Sequence, residues 1–169
     1  MVTLRPTRKL QSALPPMTAA AHSDTALGDW YVNRLVVDQR PLLLLVSSTS
    51  LLPILLPARD VRTLPNRLAD VVAERLARLG IASSLIRAET SVMSPVHIDV
   101  TIDRSVLGIM VDFAKAVPYF LEVGAWDEAS LLMVEDRLSE RPCHAGKASD
   151  RVILPYRKTS ELLAQKWAG

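Results

Sequence analysis

A chain of 169 residues with 49% apolar and 22% charged residues has the make-up of a folded globule, which excludes a disordered polar chain. Its net charge of +2 gives no overall field that would itself recruit a nucleic acid or a membrane, and its single cysteine, Cys143, excludes an internal disulfide framework and fits a reducing compartment. Arg5, Arg8 and Lys9 lead into a polar, Pro-containing stretch instead of an apolar signal core, so the expected location is the cytoplasm and the expected organisation is one domain over 1–169.

Val2 to Arg5 reads as a short opening strand, and Thr7 as the cap of a brief helix through Leu14. Pro15 to Thr25, which includes His22, has no periodicity and reads as a loop. Trp30 to Asp38 alternates as a strand, Asp38 to Pro41 turns the chain, and Leu42 to Val46 is a continuous apolar strand of the fully buried type. Ser47 to Ser50 turns it again, and Leu51 to Leu56 returns. Pro53 cannot donate to a ladder, which assigns this third strand to an edge or a bulge. The run from Leu42 to Pro57 is broken by Ser47, Ser48, Thr49, Ser50 and Pro53, whereas a membrane helix needs about 20 predominantly apolar residues. No membrane partner is expected.

The period then changes. Thr63 and Pro65 start a helix with Leu64, Leu68, Val71, Val72, Leu76 and Leu79 on one stripe, and Gly80 stops it. A second helix runs from about Ser84 to Met93, ended by Pro95. Val96, Ile98, Val100 and Ile102 alternate with His97, Asp99, Thr101 and Asp103, predicting a strand over 96–103. A helix follows at once from Arg104 to Val117, with Pro118 breaking it. Its apolar positions Val106, Leu107, Ile109, Met110, Val111, Phe113, Ala114 and Val117 predict the most buried helix of the chain. Asp127 caps a helix with Leu131, Leu132, Val134 and Leu138 inward, 141–151 is a loop, and Thr159 to Trp167 is a closing helix. The sum is an α+β domain: a mainly antiparallel sheet, made of a meander over 30–57 and the 96–103 strand, with helices packed on it.

Most of the chemistry gathers at the 96–112 junction. Ser105, Gly108 and Asp112 share one helix face. A glycine inside a helix costs about 1 kcal/mol relative to alanine, so close approach of a backbone or a ligand is expected at Gly108. Arg104, Ser105 and the helix start suit a small anion or a phosphate-bearing ligand. The structural alternative has Asp103 as the N-cap, Asp112 paired with Lys115, and Gly108 against a neighbouring strand. His97, Asp99 and Asp103 are the candidate catalytic residues for a metal-dependent hydrolase or nuclease, with Arg104 as anion clamp. No further ligands follow with recognisable spacing, so no metal site is assigned and the cofactor is left open. Cys143 and His144 are adjacent in a loop without a thiol-enzyme signature, which reads as a free cysteine. No nucleophile elbow and no phosphate-cradling glycine loop occurs. From Arg137 to the end, seven basic residues (Arg137, Arg141, Lys147, Arg151, Arg157, Lys158, Lys166) stand against three acidic ones, with Tyr156 and Trp167 interleaved. That pattern fits a nucleic-acid groove, or a solvated helix whose long side chains cover apolar surface.

Three segments, Thr7-Arg8-Lys9-Leu10, Leu27-Gly28-Asp29-Trp30-Tyr31 with Asn33, and Arg104-Ser105-Val106-Leu107-Gly108 with Met110 and Asp112, resemble a bacterial family of unknown function. Leu51-Leu52-Pro53, Pro57-Ala58-Arg59 and Pro142-Cys143 also fit. The chain departs from the family pattern at Ile109 and Val111, where serine and asparagine are expected. The resemblance implies no activity, cofactor or partner. It does join two distant clusters, either through an Asp29–Arg104 latch or through a shared pocket that includes Asn33. The leading expectation is a non-catalytic binding or interaction module, ligand-bound through Arg104, Ser105, Gly108, Asp112, Asp29 and Asn33, with a homo-oligomer as a further partner. The alternatives are the hydrolase or nuclease and a nucleic-acid binder.

Overall fold

In the computed structural model, which describes residues 1–18, 22–59, 61–144 and 152–169, the apolar runs become strands β1 (Val2–Pro6), β2 (Trp30–Val37), β3 (Arg40–Ser47) and β4 (Pro53–Pro57). β2, β3 and β4 are the expected antiparallel meander. The β2–β3 turn places Asp38 and Gln39 at φ 51° and 61°, the two-residue turn whose hand matches strand twist. β4 is the outer strand, so Pro53 stands where its missing N–H costs no ladder bond.

The first helical stripe forms α1 (Leu64–Arg78), followed by α2 (Ser83–Ser91), and Gly80 ends the first with φ +79°. β5 (Val96–Ile98) then joins the sheet, giving the order β4-β3-β2-β1-β5. β1 lies parallel to both β2 and β5, so the sheet is mixed, and the mainly antiparallel expectation is corrected. The strand expected over 96–103 also ends early, at Ile98. Asp99 N makes a last bond to Leu4 O (3.1 Å), the Asp99 carboxylate then takes Val100 N (2.8 Å), and the Tyr31 hydroxyl takes Asp103 N (2.9 Å). Those bonds draw the backbone away from the ladder.

α3 (Arg104–Phe120) and α4 (Glu128–Ser139) follow, and a two-residue pair, β6 (Cys143–His144) with β7 (Val152–Ile153), precedes α5 (Pro155–Trp167). α5 begins four residues earlier than expected because Leu154-Pro155 places proline at its first turn, where no N–H is needed. α3 runs through Pro118, which lies in its last turn and faces solvent. Asp127 caps α4 through Ser130 N (3.0 Å) in a reciprocal box, and Leu132 points outward. Thr7 caps nothing with its side chain. Its hydroxyl donates to Asn33 Oδ1 (2.7 Å), and Arg8–Ala13 is a 3₁₀ segment.

Because strand side chains alternate, the sheet has two apolar faces. Val2, Leu4, Trp30, Val32, Leu43, Leu45 and Ile54 pack under α1, α2, α5 and the 3₁₀ segment. Tyr31, Leu42, Leu44, Val46 and Leu55 pack under α3 and α4. α3 is therefore a surface helix, not the most buried one. Val106, Ile109, Met110, Phe113, Ala116 and Val117 go inward, while Arg104, Gly108, Val111, Asp112, Lys115 and Tyr119 face out. Among the described residues no helix is long and apolar enough to cross a membrane.

Candidate functional site

The outer flank of α3 and the chain from Arg141 to His144 enclose a cleft of about 570 Å³. α3 presents Ile109, Phe113 and Ala116 at the cleft's floor because these residues lie on the edge of the stripe that packs on the sheet. The short β6–β7 pair brings Cys143 to the same floor. Around the mouth stand Asp112, Lys115, Tyr119, Arg141 and His144, and Tyr119 is 89% exposed. An apolar base with a few polar groups at its rim, in the size range of roughly 300–1,000 Å³, is the usual form of a small-molecule site.

The surroundings of Cys143 disfavour its thiolate. Burial pushes its thiol up to about 11, Asp112 adds to that rise, and nearby Arg141 only partly opposes it. The thiol donates to Arg141 O (3.4 Å). A reactive cysteine needs the opposite shift, toward thiolate at neutral pH. The reading of Cys143 as an ordinary free thiol agrees with this geometry, and His144 beside it is exposed.

The junction residues are held together in another way than expected. Asp29 reaches not Arg104 but Arg5, whose Nε lies 2.6 Å from Asp29 Oδ2 and whose Nη1 donates to Val100 O (2.7 Å). Asp29 also accepts from Ser23 Oγ, and Asp99 stands 3.9 Å from Arg5. Arg5 is the latch, and Arg104 is exposed with no ion pair among the described residues. His97 Nδ1 is in hydrogen-bond contact with Thr18 Oγ1 (3.0 Å). Asp103 caps α3 through Ser105 N (2.8 Å) and Val106 N (3.4 Å), so these two donors at the helix start are already used within the chain. His97, Asp99 and Asp103 thus each serve a local bond, and among the described residues no three metal-ligating side chains gather. Asp112 and Lys115 form no ion pair there. Among the described residues a Cβ at Gly108 would meet nothing within 4 Å, so no described strand or loop explains this glycine.

At the basic carboxyl end, Lys147 and Arg151 lie outside the described residues. Trp167 is not a free stacking platform, because its Nε1 donates to Glu89 Oε2 (2.6 Å) and Leu163 anchors α5 in the core. Of the cleft residues, the sequence marks Asp112 as a ligand-binding candidate and Arg141 only as part of the basic carboxyl end. Lys115, Tyr119 and Arg141 carry no motif, and the one available signal was the Pro142-Cys143 pair.

A mixed-sheet α+β protein with a ligand-sized cleft on its outer helix is a class defined by fold and site, not by a reaction. Residues 3–158 match the model of the domain of unknown function DUF6933, and the chain belongs to that family. No curated protein and no solved structure matches it.

Proposed function

We propose that this protein is a non-catalytic binding module that takes a small amphipathic ligand in the cleft between α3 and Arg141–His144. The cleft volume of about 570 Å³ over an apolar floor carries this reading. An apolar or aromatic body would cover Ile109, Phe113 and Ala116, and an anionic group would meet Lys115 and Arg141 at the rim. The raised thiol of Cys143 and the separate engagements of His97, Asp99 and Asp103 favour binding over catalysis.

The probe is 1-anilinonaphthalene-8-sulfonate, an aromatic body with one sulfonate, titrated into isotope-labelled protein. Backbone amide shifts are expected along 109–120 and at 141–144, weakened several-fold by Lys115→Glu combined with Tyr119→Ala. Both side chains are exposed, so the fold should survive. Shifts confined to the smaller groove of about 410 Å³ beside β4, or spread over no single patch, would refute the assignment.

A further inference from the structure

β1 and β5 are adjacent and parallel, yet the chain leaves their carboxyl ends toward opposite faces of the sheet. After β1 the 3₁₀ segment sends Leu10 and Leu14 to the α1 side, and after β5 the helix α3 packs on the other side. In open sheets such a divergence forms a crevice at the ends of the parallel strands, the place where they hold their ligands.

The side chains at this crevice are basic and unspent. Arg8 and Lys9 open the 3₁₀ segment, Arg34 extends from β2 just past the end of β1, and Arg104 opens α3. All four are exposed, and none forms an ion pair among the described residues. The neighbouring carboxylates are already engaged: Asp29 and Asp99 on Arg5, and Asp103 on the α3 backbone. Asn33 adds a neutral donor. Its Oδ1 accepts from Thr7 Oγ1 (2.7 Å) and from Arg34 N (2.8 Å), which leaves both N–H bonds of its amide without a partner among the described residues.

We infer that this crevice binds the phosphate groups of a nucleotide or a nucleic-acid strand, with Arg8, Lys9, Arg34 and Arg104 supplying charge and the Asn33 amide a fixed N–H donor. Guanidinium forks and amide donors suit tetrahedral oxyanions, and the capped start of α3 contributes nothing to the site. The crevice is separate from the cleft of the proposed function, so either assignment can fail alone.

The test is fluorescence anisotropy with a labelled single-stranded oligonucleotide of about 12 nucleotides, with unlabelled ADP as competitor. Wild type should bind with an affinity that falls steeply with salt, and the variant carrying R8Q, K9Q, R34Q and R104Q should lose about tenfold or more. A control with the same charge loss elsewhere, R62Q with R87Q, R157Q and K158Q, should keep its affinity. Asn33→Asp preserves the acceptor used by Thr7 and Arg34 while replacing the free N–H donors by an anion, so it should lose binding with its melting temperature unchanged. Displacement by ADP would identify a nucleotide site, and resistance to ADP a strand site. Equal losses in the two fourfold variants, retention by Asn33→Asp, or no wild-type binding of either probe would overturn the inference.

Discussion

Replacing Arg75 by methionine probes the buried ionic cluster that closes the outer edge of β4. Arg75 is fully buried, and its Nε donates to Pro53 O (3.3 Å), its Nη1 to Asp136 Oδ1 (3.0 Å) and its Nη2 to Ser139 Oγ (2.6 Å). Beside it Glu135, also fully buried, accepts from Leu55 N (3.0 Å) and from Arg78 Nη2 (2.8 Å), with Arg75 Nε 4.0 Å away. Methionine fills much of the same volume but strips the Pro53 carbonyl and one cationic neighbour of Glu135. Breaking a buried ionic cluster from one side costs about 3–5 kcal/mol. Since Arg78 still holds Glu135, the low end applies, about 3 kcal/mol, or a fall in melting temperature of roughly 6–12 °C for a domain of this size. Urea unfolding followed by far-ultraviolet circular dichroism measures it, with an unchanged denaturant slope confirming a native-state effect. Arg75→Met combined with Glu135→Gln keeps an acceptor for Leu55 N and removes the stranded charge. The double variant should be more stable than the sum of the single losses implies, by about 1–3 kcal/mol. A single variant within about 1 kcal/mol of wild type, or strict additivity in the double, would refute the reasoning.

Burial raises the Glu135 carboxyl above its ordinary 4.5 against the opposing pull of Arg75 and Arg78. A folded value above the unfolded one means that its contribution is full below 4.5 and lost as pH rises through the folded value. Wild-type stability relative to Glu135→Gln should therefore fall as pH rises above 4.5, in urea titrations at stepped pH. Native Cys143, with its thiol at about 11, should be alkylated by iodoacetamide at mildly alkaline pH far more slowly than in urea, read by intact mass. The two motif glycines should respond with opposite signs. Gly28→Ala places a Cβ 2.4 Å from Ser48 Oγ at φ +66° and should destabilise by more than about 1 kcal/mol, whereas Gly108→Ala meets nothing among the described residues and should stabilise by about 0.5–1 kcal/mol. Thermal unfolding of the purified variants decides both.

Local patterns were readable wherever a single period ruled the segment. The meander, the α1 stripe with Gly80 and the Asp127 cap all follow from residues within about twenty positions of one another. What could not be read were the long pairings. β1 has five residues, and its parallel partners begin at Trp30 and Val96, so no turn sequence announces them. Alternation beyond Ile98 was real in the sequence, yet Tyr31, from a distant strand, takes the backbone donors of that segment. The all-round apolar look of α3 misled for a similar reason, since a sheet and α4 cover one side only. At the junction, Asp29 and Asn33 stand out in the sequence, but their partners Arg5 and Thr7 lie in a segment that looks like a plain strand end. The cleft has no signature in the sequence, because its residues come together only through the docking of 141–144 against α3.

The place of β1 in the middle of the sheet bears on how the chain is made. A ribosome delivers Val2–Pro6 before the other strands, and the strand that closes its second side, Val96–Ile98, leaves the exit tunnel about ninety residues later. Until then the β2–β3–β4 meander, built from neighbouring hairpins, can assemble by itself, while β1 keeps one hydrogen-bonding edge open to any other extended chain. The residues at that waiting edge alternate Val2, Leu4 and Pro6 with Thr3 and Arg5, and Pro6 is one of the residues that discourage strand addition. A nascent chain stalled before Val96 would thus carry an open strand edge on β1, and release of the next few residues would close it.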